Sequence, residues 1–109
     1  MNQLNLVLTN GEIPVEIEPL MLKKAALTIR ALNHKLRQQI VKLIDEKKSI
    51  TVTELYVKMR IEQSVASQHL AILRRAGLVN TKRDGKTIHY TVNYSRINEV
   101  LKLAEKLLN

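Results

Sequence analysis

The segment QSVASQHLAILRRAGLV, residues 63–79, groups Gln63, Ser64, Ser67, Gln68 and His69 at one end and sets Arg74 and Arg75 just before Gly77 at the other. A Gln side chain can pair with adenine through a donor and an acceptor at once, and a Ser hydroxyl serves a base edge or a phosphate oxygen. If the segment is helical, the free N–H groups and dipole of its first turn favour a phosphate as well. Ser64 has a competing role as the cap of that helix. His69 stands one step from an apolar stripe of Val65, Ala66, Leu70 and Leu73, so it is either a partly packed residue or a reader of a base. Arg74 and Arg75 complement the helix dipole, and they reach a phosphate if that end faces a nucleic-acid backbone. Further on, Lys82, Arg83 and Lys86 surround a turn signal that holds one acid, Asp84. Three cations at a hairpin tip suit phosphate or minor-groove contact; a solvated loop tip is the alternative.

These groups need a scaffold, and the hydrophobic periodicity supplies one. The apolar stripe predicts a helix from Gln63 to Ala76, stopped by Gly77, a residue able to take positive φ just past a helix end. Before it, TVTE (residues 51–54) offers a capping box between Thr51 and Glu54, opening a short helix that buries Leu55 and Met59 with Tyr56 beside them. Earlier still, Leu22, Ala25, Ala26, Ile29 and Leu32 recur at three and four residues, and Leu36, Ile40, Leu43 and Ile44 continue the period as a second helix. LVNTKRDGKTIHYTV reads as two strands around Asp84-Gly85. The last amphipathic stretch carries Ile97, Val100, Leu101, Ala104, Leu107 and Leu108 on one stripe. Four helices, a charged hairpin and a fifth helix make a winged helix-turn-helix, mainly α with a small β-hairpin wing. The second helix of such a motif enters the DNA major groove.

Residues 1–18 stand apart from this winged-helix domain of residues 19–109: they hold Glu12, Glu16 and Glu18 and no basic residue. Leu4, Leu6 and Leu8, an Asn10-Gly11 turn signal, then Ile13, Val15 and Ile17 fit a small hairpin with Pro14 at an edge, or an extended arm lying on a partner subunit.

The totals narrow the function. A chain of 109 residues fits one domain, with 45 % hydrophobic residues and Tyr as its only aromatic type. Its 18 Lys and Arg against 10 Asp and Glu give a net charge of +8, which favours a polyanion, with nucleic acid ahead of a membrane surface and an inert basic surface as the bland alternative. The absence of cysteine excludes disulfides, thiolate metal sites and thiol chemistry, and is compatible with a reducing cytoplasm, the expected location. No signal peptide or membrane span is visible. No phosphate loop, no Ser-His-Asp set and no carboxylate pair beyond Asp45-Glu46 argues for an enzyme. His34, His69 and His89 lie on three elements without ligand spacing, so no metal or other cofactor is expected.

The central segment resembles the signature of the ArsR/SmtB family of bacterial winged-helix repressors through Ser67, His69, Leu70, Leu73, Ala76, Gly77, Leu78 and Val79. ALNHKLRQQIVKLI resembles the family's second-helix segment through Arg37, Ile40 and Leu43, with His34-Lys35 in place of the usual Asp-Pro. KRDGKTIHYTV resembles its wing through Gly85 and Tyr90. The resemblance runs from residue 22 to residue 108. It implies a homodimer held by the first and last helices, through Leu22, Ala25, Ala26 and Ile29 on one and Ile97, Val100, Leu101, Ala104 and Leu108 on the other. It also implies repression at an imperfect palindrome of double-stranded DNA. Many members release DNA on binding a metal, at a Glu-Leu-Cys-Val-Cys run in the third helix or at Asp and His ligands on the last. Here Tyr56 and Lys58 replace the thiolates, and the last helix offers Asn98, Glu99 and Glu105 but no His. The expectation is a sequence-specific DNA-binding regulator without a metal site, its effector unassigned. Two alternatives are a winged-helix interaction module that binds no DNA, and a peripheral membrane protein. Cationic charge at the wing and helix end weighs against the first, and Glu99 and Glu105 in the last helix weigh against the second.

Overall fold

Three aliphatic helices close around a short twisted sheet, and two further helices run out from that body. The computed structural model describes residues 5–109, so Leu4 lies outside the described residues. The order is β1 (Leu6–Leu8), β2 (Val15–Ile17), α1 (Pro19–Leu32), α2 (Lys35–Lys47), β3 (Ile50–Thr51), α3 (Val52–Met59), α4 (Gln63–Arg75), β4 (Val79–Asp84), β5 (Thr87–Val92) and α5 (Tyr94–Leu108). Pro19 opens α1 at a position where a missing N–H costs nothing. Thr51 and Glu54 form the reciprocal capping box that starts α3. The Asn93 side chain accepts from the Arg96 N–H to start α5.

The core is aliphatic throughout. Ile40, Leu43 and Ile44 of α2, Leu55 of α3, and Ala66, Leu70 and Leu73 of α4 are buried with Ile50, Leu78, Val79 and Val92 of the sheet region. The wing is a three-stranded sheet in the order β3-β5-β4, not the simple hairpin expected. Ile50 pairs with Tyr90 and Thr51 with His89. Two residues carry no alternation of their own, so only this long-range pairing defines β3. The loop of the β4–β5 hairpin is Gly85-Lys86 rather than Asp84-Gly85, since Asp84 still pairs with Thr87. Gly85 has φ of 62° and Lys86 does not share the positive sign, as in a type II′ turn.

At the start of the described chain β1 and β2 pair antiparallel, Leu6 with Ile17 and Leu8 with Val15. The connection runs through residues 9–14, longer than a two-residue turn at Asn10-Gly11.

α1 and α5 each outrun the core. Ala31 at the end of α1 is buried, whereas Leu20, Met21, Leu22 and Leu27 are exposed. α5 behaves in mirror fashion: Leu101 and Leu103 are exposed and Leu107 and Leu108 are 71 % and 88 % exposed. Val100, expected at a subunit interface, is instead 8 % exposed and belongs to the core of its own chain. Ile29 and Ile97 also lean on that core. The correction has a simple cause, for the inner half of each helix must anchor it and only the outer half is spare. The radius of gyration is 17.6 Å, against roughly 13 Å for a compact chain of this length.

Candidate nucleic-acid interface

α3 and α4 are joined through Arg60, which takes a left-handed conformation (φ 56°, ψ 45°). Its N–H and that of Ile61 bond back to Val57 and Tyr56 carbonyls, turning the chain sharply. Gly or Asn usually signals such a position; an Arg there gives no local cue.

In a helix successive residues turn by about 100°, which sorts α4 into faces. Ala66, Leu70 and Leu73 point into the core. Ser64, Ser67, Gln68 and Arg75 lie opposite and are exposed, with Gln63 and Arg74 exposed at the edge of the same face. Among the described residues, the side chains of Gln63, Ser64, Ser67 and Gln68 make no hydrogen bond to the protein. The N-cap of α4 is Glu62, without a side-chain cap bond. Ser64 is thus not the cap that its type suggested, and the first-turn N–H groups of α4 stay open.

His69 leaves this set. It lies on the opposite flank of α4 with Val65, Ile72 and Ala76, all half-buried. Its Nδ1 is 3.2 Å from a terminal nitrogen of Arg37. Arg37 can only donate, so His69 accepts there and carries its proton on the other ring nitrogen. The His34 ring lies 4.9 Å from the His69 ring. Burial, then His34 and Arg37, hold the His69 pKa below its ordinary value of 6.5. In the structure the His69 ring turns toward α2, against Arg37 and His34. Its wheel position beside Val65 and Ile72 was the signal available in the sequence.

Arg37 is the hub of that contact and was missed as a functional residue. Only 8 % of it is exposed. Its Nε donates to the Ala31 carbonyl at 2.6 Å and a terminal nitrogen to the Arg30 carbonyl at 3.1 Å. One guanidinium thus ties the end of α1, the start of α2 and the middle of α4. His34 caps α2 by accepting from the Arg37 N–H at 3.3 Å.

The C-terminal end of α4 is wired more fully still. The Gly77 N–H bonds to the Arg74 carbonyl and the Leu78 N–H to the Leu73 carbonyl, both at 2.9 Å. This is a Schellman motif, with Leu73 and Leu78 both buried over it. Gly77 has φ of 75°. Its carbonyl accepts from the Asn93 side chain at 2.9 Å, which fixes the start of α5.

The wing splits the expected cation trio. Neighbouring strand residues face opposite ways. Arg83 shares a face with its partner Ile88, while Lys82 shares the other with His89, and Lys86 sits in the loop. All three are exposed. Among the described residues no three His, Asp or Glu side chains gather as metal ligands, and no helix is long and apolar enough to cross a membrane.

Comparison with known proteins agrees with this geometry. The family described as "Bacterial regulatory protein, arsR family" matches residues 34–81. The transcriptional activator HlyU of Vibrio cholerae is 34 % identical over 84 residues, covering 77 % of each chain. The biofilm growth-associated repressor of Agrobacterium fabrum is 37 % identical over 83 residues, 73 % of this chain and 68 % of that one. The crystal structure of the transcriptional repressor PagR of Bacillus anthracis superposes with a TM-score of 0.63 at 28 % identity, covering 80 % of this chain and 99 % of that one. The alternative of an interaction module without DNA binding finds no support in these matches.

Proposed function

The chain belongs to the ArsR family of DNA-binding transcriptional regulators, and from that premise we propose how it divides the work of binding an operator. Gln63, Ser64, Ser67 and Gln68 read bases in the major groove, and Arg74 and Arg75 hold the flanking backbone. Lys82, Arg83 and Lys86 hold phosphates from the wing. A ribbon with a cation on each face suits the minor groove, which has phosphates on both sides. The observation that carries this reading is the exposed face of α4, where four hydrogen-bonding side chains are left without protein partners.

Family regulators of this type are typically dimers. Here the spare outer halves of α1 and α5, with Leu22, Ala26, Leu101 and Leu108, form the proposed interface, with Ala25, Ile29, Ile97 and Ala104 at its inner margin. Met21 and Leu107, also exposed, extend it beyond the residues expected. Exposed apolar patches of this kind mark association surfaces. Two copies of α4 would then read an imperfect palindrome with half-sites about 34 Å apart. The reading is repression, by occupation of the operator, with no reaction catalysed.

Selection of bound duplexes from a random pool tests this. Inverted half-sites about 10 base pairs apart, centre to centre, are expected. A base preference left unaltered by substituting Gln63, Ser67 and Gln68 in turn would refute the assignment of α4.

A further inference from the structure

Between α1, the start of α2, the end of α4 and the start of α5 lies an open cavity of about 870 Å³. Five cations line it, Lys24, Arg30, Arg37, Arg75 and Arg96, together with His34 and no acid. Among the described residues the one ion pair is Arg96 with Glu99 at 3.7 Å, so the other four cations have no carboxylate. Arg37 is the most demanding of them. Its nitrogens are held by two carbonyls and a neutral ring, which satisfy its hydrogen bonds but not its charge. Burial and the nearby Arg30 both press against that charge. A concentration of like charge around a buried guanidinium calls for an anion.

The rest of the lining says what kind. Leu27, Ala31 and Ile72 form apolar walls beside the cations. A phosphodiester backbone would bring charge but nothing to cover those walls. The volume lies within the roughly 300–1,000 Å³ typical of small-ligand sites, which combine apolar walls with a few fixed polar groups. One residue belongs to both this cavity and the exposed face of α4: Arg75.

We propose that this cavity binds a small organic anion, a carboxylate or phosphate monoester on a short apolar body, and that occupancy weakens duplex binding through Arg75. An anion seated among these cations draws Arg75 off the duplex backbone and cancels positive potential at the end of the reading helix. By linkage, bound duplex weakens the anion equally. This coupling rests on the assignment of α4 to DNA, whereas anion binding itself does not.

The full chain is titrated calorimetrically with hexanoate, with phenyl phosphate, and with neutral hexanamide, at constant ionic strength. Saturable binding of at least one anion, one per chain, and none of hexanamide is expected. A Lys24→Gln/Arg30→Gln variant removes two exposed side chains outside the proposed DNA contacts. It should lose at least about tenfold in anion affinity while holding its duplex affinity in anion-free buffer, and Arg30→Lys should keep most of the anion affinity. In wild type, the saturating anion should lower duplex affinity by roughly 5–10-fold relative to chloride at equal ionic strength. No saturable binding of either anion up to about 10 mM, equal binding of hexanamide, or full binding by the double variant would overturn the site. An anion-free duplex affinity that falls with the double variant, without anion binding by wild type, would assign these cations to the DNA backbone instead. Anion binding without any change in duplex affinity overturns the coupling alone. A chain that binds no duplex in a salt-dependent way fails the DNA assignment, a result separate from the anion isotherm.

Discussion

The two ends of α4 follow opposite rules. At its C-terminus the backbone groups are met by the chain itself: Leu73 and Arg74 carbonyls by Leu78 and Gly77, and the Gly77 carbonyl by Asn93. At its N-terminus Glu62 offers no side-chain cap, and Ser64, Ser67 and Gln68 face solvent. An unmet donor in a buried place is costly; an unmet donor at an exposed helix start is available to a ligand. The difference teaches which end the fold needs and which end the function needs. It also says where substitutions should destabilise and where they should only blur recognition.

The strongest way to break the comparison is Leu73→Ala. That side chain is fully buried beneath the turn in which the Leu73 backbone carbonyl accepts from the Leu78 N–H. A loss of about 2–5 kcal/mol is expected in urea unfolding. A variant as stable as wild type would show that the C-terminal end is not structural. At the other end, Gln68→Ala should leave stability within about 0.5 kcal/mol. Its cost, about 1–3 kcal/mol, should appear as lost discrimination at one base pair. Competition binding with single-base operator variants measures it, and a uniform loss across all sequences would move Gln68 from base reading to backbone contact. Gly77→Ala comes next. With φ of 75° the added Cβ forces a left-handed strain of about 1–2 kcal/mol. The nearest atom to that Cβ is Nε of Arg96 at 3.6 Å, ordinary contact, so the cost is backbone conformation and not collision. An unchanged unfolding midpoint would contradict it.

The contrast also explains what the sequence disclosed. Leu73, Gly77 and Leu78 stand at fixed offsets because a Schellman turn needs them there, so the end of α4 could be read locally. The capping box of Thr51 and Glu54 is local in the same way, and the structure contains it. The winged fold and the family followed from such local signatures. The direction of His69 did not, because Arg37, on another helix, decides it. Nor did β3, whose two residues acquire their character from Tyr90 and His89. Val100 looked like part of one apolar stripe, and only the length of α5 relative to the core divides that stripe into an anchoring half and a spare half. The basic cavity is the extreme case, since its cations come from four helices and no window of sequence contains them.

The smallest expected effect sharpens the comparison at the middle of α4, where His69 neither caps the helix nor faces a ligand. The groups against it are His34, at the start of α2, and Arg37. Folding holds its pKa below the 6.5 expected of an unfolded chain, first by burial and then by those neighbours. Between the depressed folded value and 6.5 the unfolded chain binds more protons than the folded one, so stability rises with pH there. The contribution of the neutral ring is complete above that window and is lost as pH falls through it. Protonation also removes the acceptor for Arg37 and sets two cations face to face. His69→Gln offers Arg37 an acceptor oxygen that does not titrate. Urea midpoints followed from about pH 7.5 down to about pH 5 should therefore fall more steeply in wild type than in this variant. Parallel pH profiles would mean that His69 does not feel Arg37, and that α4 is held to the body by its aliphatic face alone.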